Sequence, residues 1–328
     1  MAVIKFRGAD GQWQTLPSVG PAGKSDYELA VAQGYTGTLD EWLATLHGGN
    51  DNLLINGYFR APVNQRGTPS ASPYTTVGGH VISLWPLNYG TVTPTIGTGL
   101  TLAPGTRIGQ LIERQHKGLL GRQCTASLLL ADDSIKTTQI TFPSVLELAS
   151  SHVYATVPDV GEVGVGFAYR ATAADIAGEN AHYIPYFNVT AAADKTVTIA
   201  AVKLELGTVS TLAQDPPVDY GAELMRCLRY ALAYDTIERV RACVCSTNYI
   251  DFHVATPVPL RIVPSIEQNA MKIIPLNGGT AVDGFAFSIL GRTASYLRVR
   301  ATKTAHGLTD AVLELASVGT RTVFTADL

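Results

Sequence analysis

Short apolar runs with a two-residue period make up most of this chain, and glycine, proline, asparagine or aspartate separates one run from the next. Such runs are typical of β-strands that bury one face, with turns at the breaks. The runs between residues 50 and 218 predict a two-sheet sandwich, with a jelly roll favoured. Those between residues 236 and 328 predict a second, sandwich-like β domain. The expected fold class is therefore mainly β.

The segment 295–302 shows the two-residue period clearly. Leu297, Val299 and Ala301 alternate with tyrosine and arginine positions, which predicts a strand with one buried face and one polar face. The apolar segment 52–59 is predicted to be a strand at the start of the sandwich. Trp85, within another apolar segment, is predicted to lie in the core.

A helical period follows the sandwich. Leu224, Cys227 and Leu228 lie on one apolar face of a helix predicted from residue 221 to residue 235. A proline-rich stretch precedes it, so residues 219–235 are predicted to connect the two β domains. We expect the apolar face to pack between domains or between subunits.

Residues 1–19 predict an extended arm with two short strands around a Gly-Ala-Asp-Gly turn. An arm of this length cannot bury its own apolar side chains. Val3, Ile4, Phe6 and Trp13 therefore need a partner surface, from another domain or from another chain.

Residues 20–49 start with a Gly-Pro-Ala triplet and predict two short helices. Ser25 is a suitable N-cap for a helix over residues 26–33, and Thr38 with Glu41 forms a capping box for the second helix. Each helix spans about two turns, which is too short for independent stability. The second helix carries an apolar stripe that must dock on another surface, formed by Leu39, Trp42, Leu43 and Leu46.

The 328-residue chain has a formal net charge of −3 and no basic run, so nothing indicates nucleic-acid binding. No segment reaches the roughly 18 apolar residues of a membrane span, and the first residues lack the apolar run of a signal peptide. We expect a soluble protein made in a cytoplasm.

Cys243 and Cys245 are too close in sequence for an easy disulfide, and buried free thiols are expected for the cysteines.

The sequence contains no GxSxG, HExxH, phosphate-binding loop or CxxC zinc pair. The histidines occur singly, and Asp132 and Asp133, adjacent in a polar turn, point apart instead of facing one cleft as glycosidase carboxylates do. We predict no enzymatic activity, no metal site and no cofactor.

Aromatic side chains offer non-covalent binding instead. The candidates for stacking on a sugar are Tyr74, Tyr89, Tyr183 and Tyr186.

The order of these segments resembles that of bacteriophage fibre proteins. Residues 4–48, with the arm, the triplet and "SDYELAVAQGYTGTLDEWLATLHG", are similar to the N-terminal segment of that family. "NLLINGYFRAPVNQRG" is similar to the start of a phage jelly-roll domain, and "RIGQLIE", "GLLGRQCTASLLL" and "IAAVKLELG" match its later strands. "AELMRCLRYALAYD", "FHVATPVPLRIVPSI" and the terminal "VFTADL" resemble the helix and the β domain that follow. The resemblance covers nearly the whole chain.

The resemblance implies a homotrimeric virion fibre, assembled in the host cytoplasm. Residues 1–19 would attach to other virion proteins, and residues 20–49 would bring three chains into register. Residues 50–218 would be the shaft or lectin-like body, and residues 236–328 the exposed tip. Recognition of a host surface polysaccharide would be non-covalent, without nucleic-acid binding or membrane insertion. Docking of a monomeric helical hairpin on the sandwich is the alternative to a trimeric bundle.

Two other functions stay open at this point: a head or capsid decoration fibre without a specific receptor, and a depolymerase that degrades polysaccharide. The chain also departs from carbohydrate-binding modules that the jelly-roll start resembles. In those modules acidic residues near this strand hold a structural calcium ion, whereas Tyr58 and Arg60 occupy the positions here. Because calcium prefers carboxylate and carbonyl oxygens, we expect no calcium site there.

Overall fold

The structure, a computed structural model, describes residues 5–7, 13–15, 28, 31, 51–113, 116–146, 151–169, 183–276, 279–316 and 321–326. The chain divides into two compact units, Met1–Gly49 and Asn50–Leu328. This division falls where the sequence places the start of the sandwich.

The first unit contains β1 (Lys5–Arg7) and β2 (Trp13–Thr15), an antiparallel pair within the predicted arm. Glu28 and Val31 are helical and lie within the first predicted helix. The second predicted helix lies outside the described residues, and so do all four residues of its stripe, Leu39, Trp42, Leu43 and Leu46.

Two antiparallel sheets share one core in the first part of the second unit. The six-stranded sheet contains, in spatial order, β10 (Ser151–Val157), β11 (Gly161–Tyr169), β12 (Tyr183–Ala191), β7 (Arg107–Leu111), β4 (Trp85–Tyr89) and β3 (His80–Ile82). The five-stranded sheet contains β5 (Val92–Thr95), β6 (Gly99–Leu102), β13 (Val197–Leu206), β8 (Gln123–Leu130) and β9 (Ile135–Thr141). The chain passes repeatedly between the sheets, as in a β-sandwich.

Trp85 lies in the middle of the sandwich core, as its apolar surroundings in the sequence predict. Its ring stands edge-on to Phe59 and Phe187, at centroid distances of 4.9 and 6.5 Å. Its indole nitrogen donates to the carbonyl oxygen of Asn56 at 3.0 Å. A large aromatic side chain with its one polar group satisfied is well suited to a fully buried position.

The prediction of a strand over residues 52–59 is wrong. This segment forms only an isolated bridge to β13, between Tyr58 and Ala201, and is held along it by backbone and side-chain hydrogen bonds. Asn52 donates to the carbonyl oxygen of Val202 at 3.0 Å and accepts from the backbone N–H of Leu204 at 3.0 Å. Asn56 has a positive φ of 57°, which asparagine tolerates better than most residues. The Asn52 side chain thus adds to a few backbone hydrogen bonds with β13 where the apolar run predicted a continuous strand.

The predicted helix is shorter than expected. α1 (Tyr220–Leu228) begins after Asp219, whose side chain accepts from the backbone N–H groups of Gly221 and Ala222. The chain then turns into β14 (Ala231–Tyr234), which pairs with β22 (Thr322–Thr325). Ala231 and Leu232 are buried, so long-range strand pairing decides the conformation of a segment whose apolar pattern also suits a helix.

Two further sheets surround a second core. The three-stranded sheet has the order β14, β22, β17 (Ser265–Gln268). The six-stranded C-terminal sheet has the order β18 (Lys272–Pro275), β21 (Ala311–Glu314), β15 (Arg239–Val244), β16 (Tyr249–Ala255), β20 (Tyr296–Thr302), β19 (Ala286–Arg292). Leu297, Val299 and Ala301 of β20 are completely buried, which confirms the alternation seen in the sequence.

Helix α1 lies at the joint between the sandwich and the C-terminal sheets. Cys227 and Tyr230 are buried together with Val63 and Leu84 of the sandwich, and Leu224 packs against this cluster. Leu228 contacts the core of the C-terminal sheets instead.

Two short 3₁₀ helices complete the described elements, at His116–Gly118 and Leu212–Gln214. In the described residues no helix is long and apolar enough to cross a membrane.

The expectation of buried thiols holds for half of the cysteines. Cys124 and Cys227 are buried, whereas Cys243 and Cys245 are exposed. Cys243 lies on the solvent side of β15, and the two exposed sulfur atoms are 3.6 Å apart.

Candidate functional site

The outer face of the six-stranded sandwich sheet carries the candidate site. Along β7, β11 and β12 every second residue faces the core, as shown by the fully buried side chains of Ile108, Val163, Val165, Phe187 and Val189. The residues between them therefore lie on the opposite face of the sheet. The sequence predicts these strands but not which of their outer residues become neighbours.

Strand register brings the outer residues into three rows. The central row runs from Tyr154 through Gly164 and Asn188 to Gly109. On one side of it lies the row His152, Gly166, Tyr186, Leu111, and on the other side the row Thr156, Glu162, Thr190, Arg107. Tyr89 pairs with Arg107 on the next strand. We call this surface the tyrosine face, defined by Tyr89, Arg107, His152, Tyr154, Tyr186, Asn188 and Thr190.

Glycines allow the tyrosine rings to lie across the sheet. A Cβ atom on Gly164 would lie 2.6 Å from a ring carbon of Tyr154, and one on Gly166 would lie 2.8 Å from the phenol oxygen of Tyr186. A side chain at either position would collide with these rings and also with the Asn188 side chain or the Ser151 carbonyl oxygen. The tyrosine rings therefore lie close to the sheet and form a shallow aromatic surface. Such a surface suits stacking on a flat ligand ring.

Arg107 lies between two tyrosines. Its guanidinium carbon is 5.0 Å from the ring centroid of Tyr89 and 5.2 Å from that of Tyr154, within the range of cation–π contact. Its Nε donates to the hydroxyl of Thr190 at 2.8 Å, and its Nη1 donates to the phenol oxygen of Tyr154 at 3.3 Å. These contacts hold the positive charge at a defined place on the face.

The polar groups around Arg107 complete the site. Burial, followed by the nearby Tyr154, raises the pKa of Tyr186 to about 12, so that its phenol stays protonated at neutral pH. The His152 ring lies 5.0 Å from that of Tyr154. The buried Oδ1 of Asn188 has no hydrogen-bond partner among the described residues. Donors, an acceptor and aromatic rings thus converge on one patch.

The structure brings together two of the four tyrosines that the sequence nominates. Tyr89 and Tyr186 lie on the tyrosine face. Tyr183 packs partly against the sandwich core, with its ring 5.4 Å from that of Tyr169. Tyr74 also packs against that core and pairs through its backbone with Val92 of the other sheet.

Sequence analysis missed Tyr154 and Arg107. Tyr154 lies on β10, to which no strand was assigned, although His152, Tyr154 and Thr156 recur with a period of two. Arg107 begins a predicted strand, but nothing local distinguishes it from other surface arginines. The signal that identifies it is its position between two aromatic rings, which arises only from the strand register.

The residues predicted to mediate virion attachment and oligomerisation lie on the N-terminal arm, in the segment 20–49 and on α1. Phe6 and Trp13 lie on β1 and β2, while Ile4 is outside the described residues. Of the helix residues, Cys227 is fully buried within the chain, and Leu224 and Leu228 are partly buried on either side of it. Packing between the two β parts of one chain therefore accounts for the apolar face of α1. Its role between subunits stays a prediction.

A polar pocket between the sandwich and α1 is a weaker candidate. It encloses about 370 Å³ and is lined in part by Asp51, Glu113, Arg226 and Arg229. The charged groups largely satisfy one another, because Arg229 donates to both oxygens of Glu113 at 2.9 and 3.0 Å. The phenol of Tyr230 also donates to Glu113. This arrangement indicates a structural joint.

The residues near the start of the sandwich do not fit a calcium ion. The guanidinium of Arg60 binds the carboxylate of Asp133 at 2.5 Å, so a cation already lies where a calcium ligand would be needed. In the part of the chain that the structure describes, no group of three or more histidine, cysteine, aspartate or glutamate side chains could hold a metal ion.

Fold and site together define a β-sandwich protein with an aromatic, arginine-bearing sheet face. Comparison with protein-family models, with curated proteins and with solved structures finds no match to this chain.

Proposed function

We propose that this chain is a structural virion fibre protein, forming a homotrimer that attaches a bacteriophage to the surface polysaccharide of its host. One observation supports the recognition step: the exposed rings of Tyr89 and Tyr154 flank Arg107 on a shallow sheet face, where glycines leave room for the aromatic rings. A shallow aromatic and polar surface suits non-covalent binding of sugars, and three copies would provide avidity. The resemblance of the segment order to phage fibres provides the virion setting.

In this proposal the sandwich is a jelly roll. Its support is the strand exchange between the sheets, with β13 placed between β6 and β8 while β12 pairs with β7. The C-terminal sheets form the distal tip. The arm binds other virion proteins through Ile4, Phe6 and Trp13, and the segment 20–49 sets the register of three chains.

The oligomeric state is tested by light scattering on the full chain and on residues 50–328, which contain both cores. The full chain should have three times the chain mass of 34.8 kDa. Loss of the trimer on truncation would place the register device in residues 1–49, and its retention would place it in the later sheets. A monomeric full chain would contradict the homotrimer.

Recognition is tested by adsorption of the full chain to host cells and by its ability to block infection. A Tyr89→Ala/Tyr154→Ala double variant should lose adsorption. Tyr220→Ala is the control, since Tyr220 is an exposed tyrosine on α1, away from this face. No adsorption of the unmodified chain at micromolar concentration would favour a decoration fibre, and release of reducing ends from host polysaccharide would favour a depolymerase.

A further inference from the structure

Arg107 differs from many other arginines of this chain in having no acidic partner among the residues that the structure describes. Elsewhere guanidinium groups pair with carboxylates, as in Arg60–Asp133, Arg66–Glu267, Arg229–Glu113, Arg239–Glu314, Arg300–Asp251 and Arg321–Asp235. Among the described residues, the side-chain partners of Arg107 are two hydroxyl groups and two aromatic rings. Its positive charge is thus held in place but not neutralised.

The hydrogen bonds of Arg107 leave part of the guanidinium available. Its Nε is occupied by Thr190 and one proton of Nη1 by Tyr154, whereas Nη2 donates to no described residue. A guanidinium has five N–H donors in a planar fork that matches the two oxygens of a carboxylate. The plane of Arg107 is fixed before a ligand arrives, which reduces the entropy lost on binding.

The two tyrosines beside this charge are accessible. Tyr89 is 42% exposed and Tyr154 is 37% exposed. The guanidinium carbon lies over the two rings, 5.0 and 5.2 Å from their centroids. A sugar that packs against the exposed part of either tyrosine therefore lies beside the guanidinium, where a carboxylate on the sugar can reach it. A neutral sugar would use the rings but leave the charge unpaired.

We propose that the tyrosine face selects acidic sugars, with a ring carboxylate of the glycan bound by the guanidinium of Arg107. This inference rests on the proposed function, since it names the ligand class of the same site. An exposed acidic residue, Glu162, lies beside the tyrosine face, opposite Thr190 in the register. Its charge opposes an anionic ligand and limits the affinity.

The test uses the full chain and a panel of uronate- and sialate-containing oligosaccharides, each beside its carboxyl-reduced, neutral counterpart. Calorimetric titration should show acidic members binding roughly tenfold or more tightly than their reduced counterparts, with an affinity that falls as salt rises. Arg107→Gln should abolish this preference, so that each acidic member binds no more tightly than its reduced counterpart. A merely structural role of Arg107 would weaken both.

Glu162→Gln provides a variant with the opposite expected effect. Removing its charge should strengthen binding of the acidic members by roughly twofold to fivefold without affecting the neutral ones. Equal binding of acidic and reduced sugars, insensitive to Arg107→Gln, would overturn the inference and leave sugar recognition in place. Failure of the whole panel to bind would overturn both the inference and the proposed recognition at this face.

Discussion

The guanidinium of Arg66, in the sandwich, lies against the carboxylate of Glu267, on β17 of the C-terminal sheets, with its Nε 2.8 Å from the nearer oxygen. The two residues are 201 positions apart in the chain. The Arg66 side chain is 4% exposed and that of Glu267 is 30% exposed. This ion pair therefore joins the two β parts, and its two members differ in access to water.

That difference predicts an asymmetric response to substitution. Glu267→Gln should lower the free energy of unfolding by about 3 kcal/mol, because it removes the charge of a carboxylate that binds a buried guanidinium. Arg66→Met should cost less, since methionine fills the space of the stem while Glu267 is hydrated. Urea denaturation of both variants measures the difference, and equal losses would show that burial of Arg66 does not control the pair.

The outer face of the five-stranded sheet holds a second buried ion pair. Lys203 and Glu205 are both buried, 3.5 Å apart, and Glu205 accepts from the backbone and hydroxyl of Thr211 at 2.7 and 2.6 Å. Lys203→Met should cost about 3 to 5 kcal/mol, since it leaves a buried carboxylate uncompensated. Lys203→Met/Glu205→Gln should be more stable than Lys203→Met alone, because glutamine is neutral and keeps the acceptor for Thr211. A more unstable double variant in thermal unfolding would contradict this account.

Acid stability should depend on Asp251. The hydrogen bonds of Arg300, followed by those of Arg298, outweigh burial and lower the pKa of Asp251 to about 2. An unfolded aspartate titrates near 3.9, so this contribution to stability is complete above about pH 4 and is lost as the pH falls towards 2. Asp251→Asn should flatten the dependence of unfolding free energy on pH in this window, as measured by denaturant titration. If the unfolding free energy of the variant changes with pH as steeply as that of the unmodified protein, other groups cause the acid sensitivity.

Gly164 should control the shape of the tyrosine face. A Cβ at this position meets both the Tyr154 ring and the Asn188 Oδ1 at 2.6 Å, so Gly164→Ala must displace one of them. We expect a loss of stability of about 1 kcal/mol and a roughly tenfold weaker binding of glycans to the full chain. Gly291→Ala on β19 is the control, because no atom lies within 4 Å of the added Cβ. Unchanged binding by the Gly164 variant would show that the close packing of Tyr154 and Asn188 against this glycine does not control glycan binding.

The cysteines should divide into two pairs by reactivity. Cys243 and Cys245 are exposed, whereas Cys124 and Cys227 are buried. Burial also raises the pKa of Cys124 to about 11, which keeps it in the unreactive thiol form. N-ethylmaleimide at pH 8 should therefore add two groups to the native protein and four to the denatured protein, counted by mass spectrometry. Modification of Cys227 in the native state would show that the joint around α1 opens.

Sequence pattern predicted most of the strands because a half-buried strand repeats every two residues, and this repeat is local. It also placed Trp85 in the core and the start of α1 close to its observed cap, Asp219. It failed where local and long-range preferences compete. The segment Ala231–Tyr234 is apolar enough for a helix but pairs with β22. The apolar segment 52–59 forms only an isolated bridge to β13, where the Asn52 side chain takes part of the hydrogen bonding.

The candidate site shows the same division. Periodicity alone determined that this chain is mainly β, that its strands have one polar face, and that Tyr89 and Tyr186 belong to the sandwich region. Only the tertiary structure decided that β4, β7, β12, β11 and β10 are neighbours and that Arg107 lies between Tyr89 and Tyr154. The physical reason is that a strand's own residues set which side chains face outward, whereas its neighbours and register depend on how distant strands bury their shared core.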